Sequence, residues 1–224
     1  MNNFGGIVLR LRKKPHTDEK LQTFSNFVIT EKIGEEFKGT WRKIFDENNL
    51  SRELHVELGT GKGDFITQLA EKNPDKNFIG LEVEAGVVLK AARKIQEKNL
   101  SNIRLVVFDI NRVEEIFAEH EIDRLYINFC DPWPKKRHAK RRLTHVRFLE
   151  MYKKILKPDG QIFFKTDNRG LFDFSLEQFE LANYKVSDVT FDLHANEPTD
   201  NIRTEYETKF SSLGVPINRL VANL

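Results

Sequence analysis

The chain has 224 residues, 39% of them hydrophobic and 31% charged, with 36 Lys and Arg against 34 Asp and Glu for a net charge of +2. That length suits one well-cored domain and argues against a second full one, and no apolar run approaches the roughly 20 residues of a membrane span. A lone cysteine, Cys130, excludes an internal disulfide framework and a cysteine-based zinc site, and the first residues lack the basic-then-apolar pattern of a secretory signal, so a cytoplasmic protein is expected.

Residues 1–30 are basic and weakly periodic, with cations clustered at Arg10–Lys14, and read as an N-terminal arm ahead of a single domain over 31–224. A helix is predicted around 35–48, with Phe37, Trp41, Ile44 and Phe45 on one face. Strand-like apolar runs then recur at 53–58, 77–83, 103–108, 123–129 and 161–166. Helical patterns lie between or after them at 63–73, 85–98, 112–119, 144–156 and 170–182. The tail carries two further strands, 184–193 and 216–222, around a short helix at 204–212. Strands alternating with helices make βαβ units, hence a doubly wound, mostly parallel α/β sheet, whose ligands bind beyond the carboxyl ends of the strands.

The first of these strands runs into Glu57-Leu58-Gly59-Thr60-Gly61-Lys62-Gly63. The glycines permit unusual backbone angles and close approach of a ligand. The spacing is neither the dinucleotide fingerprint nor the phosphate-cradling loop, which would need a glycine five positions before Gly61-Lys62 and a Ser or Thr after it. An acid two residues ahead of Gly59 suits a cationic or N–H-rich ligand end better than a pyrophosphate. Glu82, Asp109 and Asp131 close the next three strands in the same way. One acid after a strand is commonly a helix cap, but four in order make a candidate cofactor site. Glu82 can accept ribose hydroxyls, Asp109 an adenine amine, and Glu57 can face an ammonium or sulfonium, which together fit S-adenosylmethionine.

Asp131 also opens Asp131-Pro132-Trp133-Pro134-Lys135-Lys136-Arg137-His138-Ala139-Lys140-Arg141-Arg142, which sets six cations within eight residues behind a rigid aromatic turn. Cations at a helix start oppose the helix dipole, so phosphate contact is the better reason for them. Trp133 reads equally as a base-stacking platform or as hydrophobic cover for the sheet edge. His138 is alone in a basic loop, and no histidines stand at metal spacing. Lys165 and Asp167 follow the fifth run, as a surface ion pair or as ligand-edge groups, and Thr204-Glu205-Tyr206-Glu207 has the form of a helix capping box.

These blocks resemble the bacterial tRNA (guanine-N7-)-methyltransferases, the TrmB family. The likeness rests on Glu57–Gly63, on Asp131–Leu143, on Lys165-Thr166-Asp167-Asn168 and on Thr204–Phe210, and it runs over essentially the whole chain. The glycine turn is generic to methyltransferases, whereas the Asp-Pro-Trp-Pro-Lys block with its basic tail is specific. The resemblance implies a seven-stranded fold of the class I S-adenosylmethionine-dependent methyltransferase type and transfer of a methyl group to N7 of guanosine at position 46 in the tRNA variable loop. It implies Glu57, Gly59, Gly61, Glu82, Asp109 and Asp131 at the cofactor, with Asp131 also catalytic. It implies substrate contact at Lys135, Asp167, Thr204 and Glu207 and along Arg137, His138, Lys140, Arg141 and Arg142. It brings no metal and no obligate protein partner, and leaves monomer and homodimer open. Cys130 stands where a serine or proline is expected. Other readings are a methyltransferase for exocyclic adenine amines, whose turn would differ at Trp133, and a catalytically silent RNA-binding subunit. A nicotinamide oxidoreductase is disfavoured by the glycine spacing.

Overall fold

The computed structural model describes residues 17–47 and 50–224, with the backbone alone over 31–33. Sixteen elements follow in chain order. α1 (Thr17–Gln22), β1 (Val28–Ile29) and α2 (Glu31–Glu36) lead into β2 (Leu54–Leu58), α3 (Asp64–Lys72), β3 (Asn77–Glu82), α4 (Ala85–Glu97) and β4 (Ile103–Val107). Next come α5 (Val113–Ile116), β5 (Ile122–Asn128), α6 (Val146–Ile155), β6 (Leu156–Thr166) and α7 (Arg169–Leu181). β7 (Lys185–Thr190), α8 (Glu205–Ser212) and β8 (Asn218–Asn223) close the chain. The strands form one sheet in the order β1-β4-β3-β2-β5-β6-β8-β7, parallel from β1 through β6, with β8 antiparallel to both β6 and β7.

Strand alternation divides the core into two layers. Phe78, Ile103 and Leu105 pack with Ile66, Ala70, Val88 and Ile95 of α3 and α4 on one face. Val56, Leu58, Ile79, Leu81 and Val106 pack with residues of α5, α6 and α7 on the other. Side chains two apart on a strand share a face, so the near-continuous apolar runs of β3 and β4 supply both layers. This is the doubly wound arrangement that the alternating elements predict.

Three expectations are corrected. The sheet has eight strands rather than seven, because Val28 and Ile29 pair in parallel with Leu105 and Val106, and the Leu105 N–H donates to the Phe27 carbonyl at 2.9 Å. The arm over 1–30 therefore does not extend to residue 30: Leu21, Phe24 and Phe27 are buried against α4 and its neighbours. Those residues stand at helical spacing, but the helix ends at Gln22 and the run is too short to read as a core element. Arg10–Lys14 lies outside the described residues. The single helix over 35–48 is broken as well, into α2 and a 3-10 turn at Trp41–Ile44, with Gly39 at φ +79° between them. Trp41 is fully buried there, and its indole N–H donates to the Ile116 carbonyl at 2.6 Å.

Candidate active site

Each parallel strand releases its chain at the same edge, and the acids read from the sequence stand there. Glu57 is the most enclosed, at 3% exposure. It accepts from the Thr60 hydroxyl at 2.6 Å and from the Asn128 amide at 3.0 Å. Burial pushes its carboxyl up to about 7, against the pull of the Thr60 and Asn128 hydrogen bonds and of Lys165. An acid in this state is readily ionised by an arriving cation.

The turn after β2 is built on Gly59, Gly61 and Gly63, at φ +77°, +54° and +78°. Gly63 also lies against α4, where an added Cβ would come within 2.7 Å of the Ala91 Cβ. Above Gly59 and Gly61 the space is open, so their backbone is bare to the groove. Glu82, at the end of β3, braces the turn by accepting from the Gly61 N–H at 3.1 Å and also from Glu84 N–H at 3.1 Å. Each carboxylate oxygen keeps a further lone pair for a ligand hydroxyl. Asp109 is exposed and caps the 3-10 turn after β4 through Asn111 N–H at 2.9 Å.

Two cavities meet over these strand ends. One, of about 620 Å³, is walled by Glu82, Asp109 and Asp131 together with the apolar side chains of Val83, Phe108 and Ile110. The other, of about 430 Å³, lies over Glu57 and the glycine turn, and Gly59, Asn128 and Phe129 line both. A flat apolar slot beside two acids, continuous with a bare turn above a buried acid, fits an adenosine joined to a charged amino-acid end.

Asp131 is exposed at the rim of the larger cavity, between two strained residues. Phe129 has φ +50° and Trp133 has φ +40°, a conformation that is unfavourable for bulky side chains and collects at functional sites. The Lys165 carbonyl holds Phe129 through its N–H at 2.9 Å. Arg142 holds the turn, donating to the Pro132 carbonyl at 3.0 Å and the Trp133 carbonyl at 3.1 Å while stacking 4.2 Å from the Phe174 ring centroid. Cys130 is no nucleophile, since burial pushes its thiol up to about 12.

The basic run folds as a 3-10 turn at Lys136–Arg141, and its cations divide by task. Lys135, Lys136, Arg137 and Lys140 are exposed. Arg141 lies over Trp133, 4.8 Å from the ring centroid, with His138 edge-on at 5.8 Å. Partial burial and the nearby Arg141, Arg137 and Lys135 hold His138 below its ordinary value. Arg142, expected at the substrate, has its Nε and one terminal nitrogen engaged on the turn.

Glu207, expected at the substrate, lies inside the fold. It is 0% exposed, and its oxygens accept from Lys165 at 2.7 Å, Asn201 at 2.9 Å and the His194 ring at 3.0 Å. The Thr204 hydroxyl accepts from the Glu207 N–H at 2.9 Å, so the capping half of the motif forms while the acid turns inward. Lys165 completes its three donors on Asn201, the Ile202 carbonyl and Glu207. Burial pulls the Lys165 ammonium down. Burial would raise Glu207, but Lys165 and the hydrogen bonds hold its carboxyl below the ordinary range. Exposed Tyr206 reaches from α8 to Asp167 with a 3.2 Å hydrogen bond and stands 4.9 Å from the Phe129 ring, roofing the smaller cavity. The sequence reading omitted Asn128, the support of Glu57. Its signal was one amide closing the apolar half of β5, after Leu125, Tyr126 and Ile127.

Removing one partner of this buried pair leaves a charge uncompensated. Lys165→Met is expected to lower unfolding free energy by about 3–5 kcal/mol, read from urea denaturation.

Residues 51–220 match the family model described as "Putative methyltransferase". Among solved structures, the chain resembles 16S rRNA methyltransferase KamB at TM-score 0.60 and 12% identity, covering 80% of this chain and 91% of that one. It resembles an antibiotic-related methyltransferase at TM-score 0.56 and 17% identity, covering 76% and 86%. At these identities the likeness concerns the fold, which is the class I methyltransferase type. In sequence, the chain is 48% identical to the tRNA (guanine-N(7)-)-methyltransferase of Lachnoclostridium phytofermentans over 96% of this chain and 98% of that one. It is 45% identical to the enzyme of the same name from Brevibacillus brevis, again over 96% and 98%. With both chains covered nearly end to end at this identity, and the strand-end acids and basic turn gathered at one edge, the chain belongs to the tRNA (guanine-N(7)-)-methyltransferase family.

Proposed function

We propose that the paired cavities perform this family's reaction with a division of labour set by the strand ends. The activity is transfer of a methyl group from S-adenosylmethionine to N7 of a guanosine in tRNA. We assign position 46 of the variable loop as the target and the cytoplasm as the setting. S-adenosylmethionine supplies the methyl on a sulfonium, an activated electrophile. The single observation that carries the assignment is the placement of Asp131 at the rim of the cavity walled by Glu82 and Asp109, on the same turn as the basic run.

In this reading Val83, Phe108 and Ile110 enclose the adenine, Asp109 accepts from its amine, and Glu82 takes the ribose hydroxyls. Glu57, supported by Asn128, faces the ammonium end above Gly59 and Gly61. Guanine N7 carries a free lone pair on its major-groove edge, so it attacks without first losing a proton and needs no general base. The task left to the protein is alignment, together with stabilisation of the cationic purine that forms, and these can supply several kcal/mol of barrier reduction. Asp131 is suited to both: its carboxylate can accept from the guanine N1–H and exocyclic amine and lies close to the developing charge. Lys135, Arg137 and Lys140 remain exposed to meet phosphates. A guanine held in a tertiary contact would swing out at a cost of a few kcal/mol.

The decisive test is to incubate the protein with unmodified tRNA and labelled S-adenosylmethionine and map the product by nucleoside mass spectrometry. N7-methylguanosine in the variable loop is expected. Methylated adenine, or no product despite bound cofactor, would contradict the assignment and favour the adenine methyltransferase or the silent RNA-binding subunit.

The Glu57 carboxyl gives a pH prediction. Its folded value, about 7, lies above the ordinary 4.5. The folded state therefore holds an extra proton across that window, and stability falls as pH rises from the ordinary value through about 7. A cationic ligand end requires the ionised form, so S-adenosylhomocysteine affinity should rise about tenfold between pH 6 and 8. Calorimetric titration of Glu57→Gln should flatten that dependence.

A further inference from the structure

A third cavity, of about 230 Å³, lies on the α3 face of the sheet, apart from the acids. Its floor is Tyr126 of β5 and Phe163 of β6, with ring centroids 5.3 Å apart. α3 forms one wall and the Pro198–Ile202 segment the other. Five cations line it, Lys72, Lys76, Arg124, Lys165 and Arg219, against one carboxylate, Asp200.

The cations are not equivalent. Lys76 pairs with Glu53 at 2.9 Å, and Lys165 is engaged beneath the active site. Arg124 and Arg219 both lie by the Phe163 ring, at 5.3 and 5.9 Å from its centroid, and among the described residues neither makes an ion pair with a carboxylate. Guanidiniums beside an aromatic ring and without a carboxylate partner offer the planar N–H fork that recognises phosphate. His55, also on the floor, is pulled down to about 4 by burial and is neutral. With Glu53 accepting from its Nε2, its Nδ1 accepts from the Tyr126 hydroxyl at 3.1 Å. The floor is thus aromatic and uncharged while the rim is cationic. Phe65 and Asn128 line both this cavity and the one over the glycine turn, so the two are neighbours across a shared wall.

We propose that this cavity binds a nucleotide unit of the tRNA other than the target guanosine, its base against Phe163 and Tyr126 and its phosphate on Arg124 and Arg219. Base stacking on an aromatic platform with Arg at the backbone is how single-stranded segments are held, and a polymer whose target base occupies the reaction groove brings a neighbouring unit to the shared wall. The inference rests on the reading of tRNA as substrate.

The test compares the wild type with Arg124→Gln, Arg219→Gln and the double variant in three measurements: KM and kcat for unmodified tRNA at several salt concentrations, calorimetric affinity for S-adenosylhomocysteine, and direct binding of guanosine 5′-monophosphate. In the double variant KM should rise about tenfold and the log–log salt slope should fall by about one. Its kcat and S-adenosylhomocysteine affinity should hold. Unchanged KM and slope in an active double variant overturn the proposal, as does a KM rise matched by lost cofactor affinity. Mononucleotide binding that the variants lose while tRNA KM stays constant assigns the cavity to a free nucleotide, and also overturns it. A wild type that methylates no tRNA would instead sink the reading of the substrate.

Discussion

A parallel sheet delivers every chain that leaves its strands to one edge, and the rest of this molecule depends on that constraint. β2, β3, β4 and β5 pair in parallel register, so Glu57, Glu82, Asp109 and Asp131 arrive in a row without any long-range search by loops. The helices returning between strands bury both faces, and the edge is left as the place where polar side chains can meet a ligand. Strain follows from the same geometry. The chain leaving β5 turns sharply enough to put Phe129 and Trp133 at positive φ, and it stays there because the Lys165 carbonyl and the Arg142 guanidinium hold it.

Beneath the edge runs a row of buried and half-buried polar groups: Thr60, Glu57 and Asn128, then Lys165, Glu207 and His194. An apolar replacement for such a row is often as stable, so what the row supplies is position rather than stability. Lys165 ties the segment at Asn201 and Ile202 to the end of β6, and Glu207 ties the start of α8 to the same point. Those two links set Tyr206 above Phe129 and Asp167 and close the groove over Glu57. The basic turn shows a similar economy. Arg142 supports the backbone, Arg141 covers Trp133, and the remaining exposed cations face outward.

The parallel α/β alternation and the strand-end acids were legible in the sequence because period and length identify buried strands, and because one topological rule then places their ends. β1 was not legible. Two residues carry no alternation, and Val28-Ile29 becomes a strand only when the β4 edge pairs with it. The break at Gly39 was equally hidden, since Phe37, Trp41, Ile44 and Phe45 keep helical spacing across a turn that is not helical. At the site, charge type was legible but charge allegiance was not. Nothing in the letters separates Arg142, held by two carbonyls, from exposed Arg137 five residues earlier in the same run. Nor do they separate Glu207, fully buried, from exposed Glu205 two residues earlier. Asn128 was passed over because its role exists only through contact with Glu57 across the β2–β5 pair.

The central claim is that Asp131 aligns the guanine and offsets its developing charge, and does not remove a proton. Single-turnover methylation of unmodified tRNA, with enzyme and S-adenosylmethionine saturating, isolates that step. Asp131→Asn should slow it about a hundredfold or more, the scale on which preorganised electrostatic groups act. A near-normal single-turnover rate in Asp131→Asn would contradict the account.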